Sequence, residues 1–180
     1  MPKIFLSSDH HFGHANIIKF CKRPFNTVDE MDRCLIEGWN SVVEPEDIVY
    51  YLGDFCYWRG DNCVDKYVSQ LNGVIQIVFG GHDHFARRRP MSFAECHDGF
   101  IERKFHGEYC VMCHYPMMSW NKSFHGSVHF HGHIHSCPHD EVKGKTYHNK
   151  VGPGNSYDVG VDNNDFKPIL FQEAVKRARV

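Results

Sequence analysis

Several things are absent from this 180-residue chain, and each absence narrows the reading. No apolar stretch approaches the ~20 residues needed to span a bilayer. No charge of one sign dominates: the net charge is −2, so there is no global field to gather nucleic acid or an anionic membrane. Any polyanion must be met by a local patch. There is no internal repeat, no low-complexity tract and no linker long enough to divide domains. We therefore expect one domain over 1–180, large enough for a real hydrophobic core. The opening MPKIFLSSDHHFGH lacks the length and cleavage pattern of a secretory signal. A cytoplasmic protein with reduced thiols is the expectation, despite eight cysteines. Cys110 and Cys113 have the spacing of a redox pair or half a zinc site, but lie in a strand-like run without a second such pair. They read as buried thiols.

Histidine is plentiful, at 15 residues, and many stand beside Gly or Asp. Their placement follows the order of elements. A first strand over 3–8 ends in Asp9-His10-His11. A helix begins after Asn26-Thr27 with Val28, Met31, Leu35 and Trp39 on one face. Asp47–Leu52 is a buried strand closed by Gly53-Asp54. Asp61 or Asn62 caps a second helix with the stripe Val64, Tyr67, Val68 and Leu71. The strand that follows, with Val74, Ile75, Ile77, Val78 and Phe79, empties into Gly80-Gly81-His82-Asp83. This alternation predicts an α/β fold. The second half is strand-rich, over 100–105, 108–113, 127–131, 145–149 and 156–161, with loops at 138–145 and 152–154 and a closing helix near 170–178.

Strand ends deliver Asp9 and His11, then Asp54, then His82 and Asp83, and later His114, His133 and His135. Ligands in open α/β sheets bind at the carboxyl ends of strands. Imidazole and carboxylate together suit Mn, Fe or Zn ions. Two ions ~3.5–4 Å apart can clamp both oxygens of an in-line phosphoryl displacement and lower the pKa of a bound water.

The ordered set Asp9-x-His11, Gly53-Asp54, Gly80-x-His82-Asp83, His114 and Gly132-His133-x-His135 resembles the motifs of the calcineurin-like metallophosphoesterases. The flanks FGHANIIKFCKRPF and VGVDNNDFKPI are similar to those of small bacterial and bacteriophage members. The resemblance implies two mixed β-sheets packed as a sandwich with flanking helices. It implies a first divalent ion on Asp9, His11 and His135, and a second on His114 and His133, with Asp54 bridging the two. It implies a metal-activated hydroxide as nucleophile, and His82 as general acid oriented by Asp83. One residue departs from the pattern. The family places Asn, a ligand of the second ion, where Gly81 stands, so that site is expected to be looser. A shifted register, with His82 as ligand instead, ranks below simple substitution.

Other candidates carry less. His14 can contact phosphate or pack in its loop, and Arg23 is a candidate for a substrate phosphate. Arg87-Arg88-Arg89 reads first as a solvated face, and second as a patch that steers a nucleotide or nucleic-acid backbone. Phe12, Trp58 and Trp120 default to packing, and His129 and His131 to backbone-paired strand histidines. His10, His97, His106, His125, His139 and His148 read as solvent or loop residues. The leading expectation is hydrolysis of phosphomonoesters or nucleotide-type phosphodiesters. The alternative is a degenerate member that binds metal or a phosphorylated ligand with little turnover.

Overall fold

The computed structural model describes residues 1–57, 63–84, 86–136 and 154–180. The expected strand at 145–149, the loop at 138–145, the turn at 152–153, the helix cap at Asp61 or Asn62, Trp58, His139 and His148 lie outside the described residues.

The chain runs β1 (Ile4–Ser7), α1 (Ala15–Phe20), α2 (Val28–Asn40), β2 (Ile48–Tyr51), α3 (Cys63–Val68), β3 (Val74–Val78), β4 (Glu95–His97), β5 (Phe100–Phe105), β6 (Glu108–Cys113), β7 (Val128–His131), β8 (Ser156–Asp158), β9 (Ile169–Leu170) and α4 (Phe171–Ala178). Two mixed sheets result, ordered β4-β3-β2-β1-β9 and β5-β6-β7-β8. In the first, β1 through β4 are parallel and β9 runs antiparallel to β1. In the second, β5 is antiparallel to β6, while β6, β7 and β8 are parallel. This is the expected α/β architecture.

Strand alternation builds two cores. Phe5, Val49, Tyr51, Ile75 and Ile77 face the helices and meet Met31, Leu35 and Trp39 of α2 and Val64 and Tyr67 of α3. Leu6, Tyr50, Leu52 and Val78 point the other way, against Ile101, Cys110, Met112, Val128 and Phe130 of the second sheet. Phe171, Ala174, Val175 and Ala178 of α4 join this second core. Thr27 caps α2 as its neighbours suggested, its hydroxyl accepting from the Glu30 amide at 3.2 Å.

Some elements differ from expectation. α1, β4 and β9 are short pieces without a period of their own. The strand expected over 156–161 stops at Asp158 and gives way to a 3-10 turn over Val161–Asn163. Cys110 and Cys113 sit three apart on β6 and so point to opposite faces, which rules out a shared zinc. Burial pushes the Cys110 thiol up to about 12. No helix among the described residues is long and apolar enough to cross a membrane.

Candidate metal centre

Parallel strands of both sheets bring their carboxyl ends to one place. Asp9 and His11 follow β1, Asp54 follows β2, His82 and Asp83 follow β3, His114 ends β6, and His133 and His135 follow β7. Hydrogen bonds then lock the two sheets' loops together. The His133 amide donates to both oxygens of Asp9, at 3.2 and 3.0 Å, and His114 Nδ1 donates to the Leu52 carbonyl at 2.8 Å.

Five of the six candidate ligands have a left-handed backbone: Asp9 (φ 60°), His11 (52°), Asp54 (60°), His133 (72°) and His135 (47°). Side chains rarely adopt this region, and residues held there cluster at functional sites. The conformation turns each side chain out of the strand's alternation. It is why Asp9 and His11, two residues apart, converge on one point.

The ligand atoms of these six residues form two groups, each with all atoms within 4.8 Å of one another: Asp9, His11 and His135, and Asp54, His114 and His133; a third group, Cys21, His135 and Asp162, shares His135 with the first. Between the groups lies Asp54 Oδ2, 3.5 Å from His11 Nε2 and 3.4 Å from His114 Nε2. Both of those imidazole nitrogens are buried and lack a hydrogen-bond partner. Buried polar nitrogens without partners are costly unless something occupies the space they face. Two carboxylates and four imidazoles are a donor set for divalent first-row ions, so the residues present fit such ions.

The electrostatics agree. Burial pushes the Asp9 carboxyl above its ordinary value. Burial would also raise Asp54, but the adjoining His114 imidazole, then His11 and the His82 amide, hold it well below the carboxylate range. Despite its own burial, His114 is lifted to about 9 by Asp54 and Asp9. His135 is lifted to about 11 against its burial, by Asp9 and by its hydrogen bond to Asp162. A metal ion bound to His114 or His135 would compete with the proton that the nearby carboxylates favour there.

Glycines shape the centre. A β-carbon on Gly80 would strike Asp54 Oδ1, lie 2.8 Å from the Asp54 amide nitrogen and 2.9 Å from His114, and one on Gly132 would strike Asp9 and Ser8. Gly81 differs: among the described residues a β-carbon there meets only Tyr115 Oη, at 3.1 Å, and its φ lies outside the left-handed region. Its backbone does not demand glycine.

His82 is exposed, its ring 5.3 Å from that of His11 and 5.5 Å from that of Tyr57. Its amide donates to Asp54 Oδ1 at 2.8 Å. Asp83 does not pair with the His82 ring. Its two oxygens accept from the amides of Asp54, Phe55 and Gly80 at 2.7, 2.8 and 2.7 Å, so it fixes the loop through the backbone. His14 lies beside the site, its Nδ1 3.4 Å from His11 Nδ1 and its ring stacked on Tyr57 with centroids 4.2 Å apart.

Arg23 requires a correction. It is 4% exposed and fully committed: two bonds of 2.8 Å to Asp162, one of 2.9 Å to the His10 carbonyl and one of 2.7 Å to the Asp9 carbonyl. It braces the first motif from behind and offers nothing to a substrate phosphate. Asp162, to which the sequence reading gave no role, accepts from Arg23 and bonds His135 Nδ1 at 2.8 Å. That is the carboxylate–histidine arrangement that orients metal-ligating imidazoles. Its only sequence signal is its place in the segment VGVDNNDFKPI. His10 is also not a solvent residue: it is buried, its ring 5.0 Å from Phe12 and 5.3 Å from Trp39. His129 is paired to backbone, through Val111 and Met117, and Phe12 and Trp120 are buried in packing. Arg87, Arg88 and Arg89 are exposed, and Arg87 pairs with Asp98.

This fold and this donor set define an α/β protein with a candidate metal centre at its strand ends. The chain is 36% identical over 177 residues to the uncharacterized protein MJ1445 of Methanocaldococcus jannaschii, spanning 98% of this chain and 91% of that one, and it belongs to that protein's family. Over 85 residues it is 29% identical to the gene 66 protein of Mycobacterium phage L5, 46% of this chain and 41% of the phage protein. The solved structure of AQ665, a protein of unknown function from Aquifex aeolicus, shares the fold at a TM-score of 0.74 and 24% identity, over 98% of this chain and all of that one. A solved archaeal phosphodiesterase aligns at a TM-score of 0.45 and 17% identity, over 89% and 84% of the two chains, too distant to bear on fold or activity. No protein-family model matches the chain.

Proposed function

We propose that the protein is a phosphoester hydrolase of the calcineurin-like metallophosphoesterase kind, using two divalent ions (Mn, Fe or Zn). Its substrates would be phosphomonoesters or nucleotide-type phosphodiesters. The observation that carries this reading is the position of Asp54 Oδ2 between the unpartnered, buried Nε2 atoms of His11 and His114. One carboxylate oxygen shared by two ligand groups suits a pair of adjacent ions. When bound, such ions would supply a water of lowered pKa and neutralise charge that develops on a phosphoryl group.

The chain's own residues do the rest. Asp9, His11 and His135 would hold one ion, and Asp54, His114 and His133 the other. The exposed His82 ring is free to give a proton to the departing ester oxygen, a contribution worth ~10²–10⁴-fold for a positioned acid. Asp83 and Asp54 set that ring's place by holding the loop backbone. The His14–Tyr57 stack borders His82, and Tyr57 is 42% exposed, so a nucleobase on the leaving group has an aromatic surface to meet.

A second reading has one observation in its favour. Gly81 contributes no ligand, which leaves the second group with three protein donors, and a weakly held second ion would make the protein a binder with little turnover. Metal content, together with assays of a generic phosphomonoester and a generic phosphodiester in added Mn²⁺, distinguishes the two. Hydrolysis that falls ~10²-fold or more in His82→Ala supports the hydrolase. Activity restored only by Gly81→Asn supports the degenerate binder, and no activity in either protein sinks the hydrolase reading.

A further inference from the structure

Tyr115 follows His114 directly, and no motif claims it. Its ring stands edge-on to His114 and to His133, with centroids 4.7 Å away in both cases, so it borders two of the three residues of the second group. The side chain is 46% exposed, and its hydroxyl makes no hydrogen bond among the described residues. That hydroxyl is also, among the described residues, the one atom within 4 Å of the place where a β-carbon on Gly81 would stand. The volume left by the absent side chain at position 81 is therefore bounded by a phenol, at the rim of the second group, with its donor uncommitted.

We propose that Tyr115 is a phosphate-binding residue: its hydroxyl donates a hydrogen bond to a phosphoryl oxygen seated over Asp54, His114 and His133, from the side that Gly81 leaves open. This rests on the phosphoester reading of the centre. The chemistry suits the position. A phenol is a neutral donor that adds no charge beside His114 and His133, and an anion accepts strongly from it. Glycine at 81 leaves the approach clear, whereas a side chain there would crowd the hydroxyl.

The test is calorimetric and does not need turnover. Inorganic phosphate is titrated into the Mn²⁺-loaded protein and its Tyr115→Phe variant, and Mn²⁺ is titrated separately into the chelator-stripped forms of both. A hydrogen bond to a charged acceptor is worth about 1.5–3 kcal/mol, so phosphate should bind ~10–100-fold more weakly to Tyr115→Phe. Mn²⁺ affinity should stay unchanged. Phosphate affinity within about twofold of the parent would overturn the proposal. So would a parallel loss of Mn²⁺ affinity, which would reduce Tyr115 to a prop for the two imidazoles. If the parent binds phosphate through Tyr115 but hydrolyses no ester, this inference stands and the hydrolase reading fails.

Discussion

Asp162 Oδ2 lies 2.8 Å from Nδ1 of His135, and this bond decides which face of the imidazole looks into the centre. With Nδ1 donating to the carboxylate, Nε2 is left to face Asp9, 3.9 Å away. Asp162→Asn keeps the shape but weakens the acceptor. We expect ~10–100-fold lower affinity at the first metal position, the usual effect of losing an outer partner, measured by Mn²⁺ titration of the stripped protein.

Arg23 and Asp162 form a buried pair that also ties down the carbonyls of Asp9 and His10. Arg23→Met leaves Asp162 with His135 alone and frees the Asp9 and His10 carbonyls, and should destabilise the fold by about 3–5 kcal/mol in urea denaturation. Unchanged stability with a selective rise in KM would restore Arg23 as a phosphate ligand.

Adjacent glycines should respond in opposite ways to one methyl group. Gly80→Ala forces the loop away from Asp54 and His114, and we expect about one Mn²⁺ per chain to be lost at moderate metal concentration. Gly81→Ala meets only the tip of Tyr115 and should keep its metal. Equal metal content in both variants would show that loop packing does not set the second position.

His129 predicts a pH dependence. Burial, then the charge of His131, holds its imidazole down at about 4, against 6.5 for an exposed one. The unfolded chain therefore binds the extra proton between these values. Stability is full above pH 6.5 and falls as pH drops towards 4, by up to roughly 1.4 kcal/mol per pH unit from this residue. Urea midpoints of the chelator-treated protein from pH 7.5 to 5 should show the decline, and His129→Gln should lessen it without abolishing it, because burial holds His131 and His10 down as well.

The six candidate ligands were legible because each follows a strand whose apolar pattern is plain, and Asp, His and Gly punctuate those ends. The layering was legible for a similar reason: α2 and β1 to β3 carry clean periods. What escaped depends on distant partners. Arg23 reads as a free cation until its partner Asp162, 139 residues away, is placed beside it. His10 lies between two motif residues yet points the other way, into the core against Trp39. β9 is two residues long and exists only because β1 offers an edge to pair with. Left-handed backbone at five ligands was likewise beyond any local pattern, since the residue types that tolerate it are also those that bind metal.

That last coincidence limits which ligands the centre can exchange. At Asp9, His11, Asp54, His133 and His135 the backbone admits without heavy penalty chiefly Asp, Asn, His and Gly. Swaps within that small alphabet change charge and donor atom while leaving the frame alone. Glu or Cys would add backbone strain to any new bond they made. The repertoire of metals open to this scaffold is thus bounded by torsion angles as much as by coordination chemistry, and sulfur-rich variants of it should be rare.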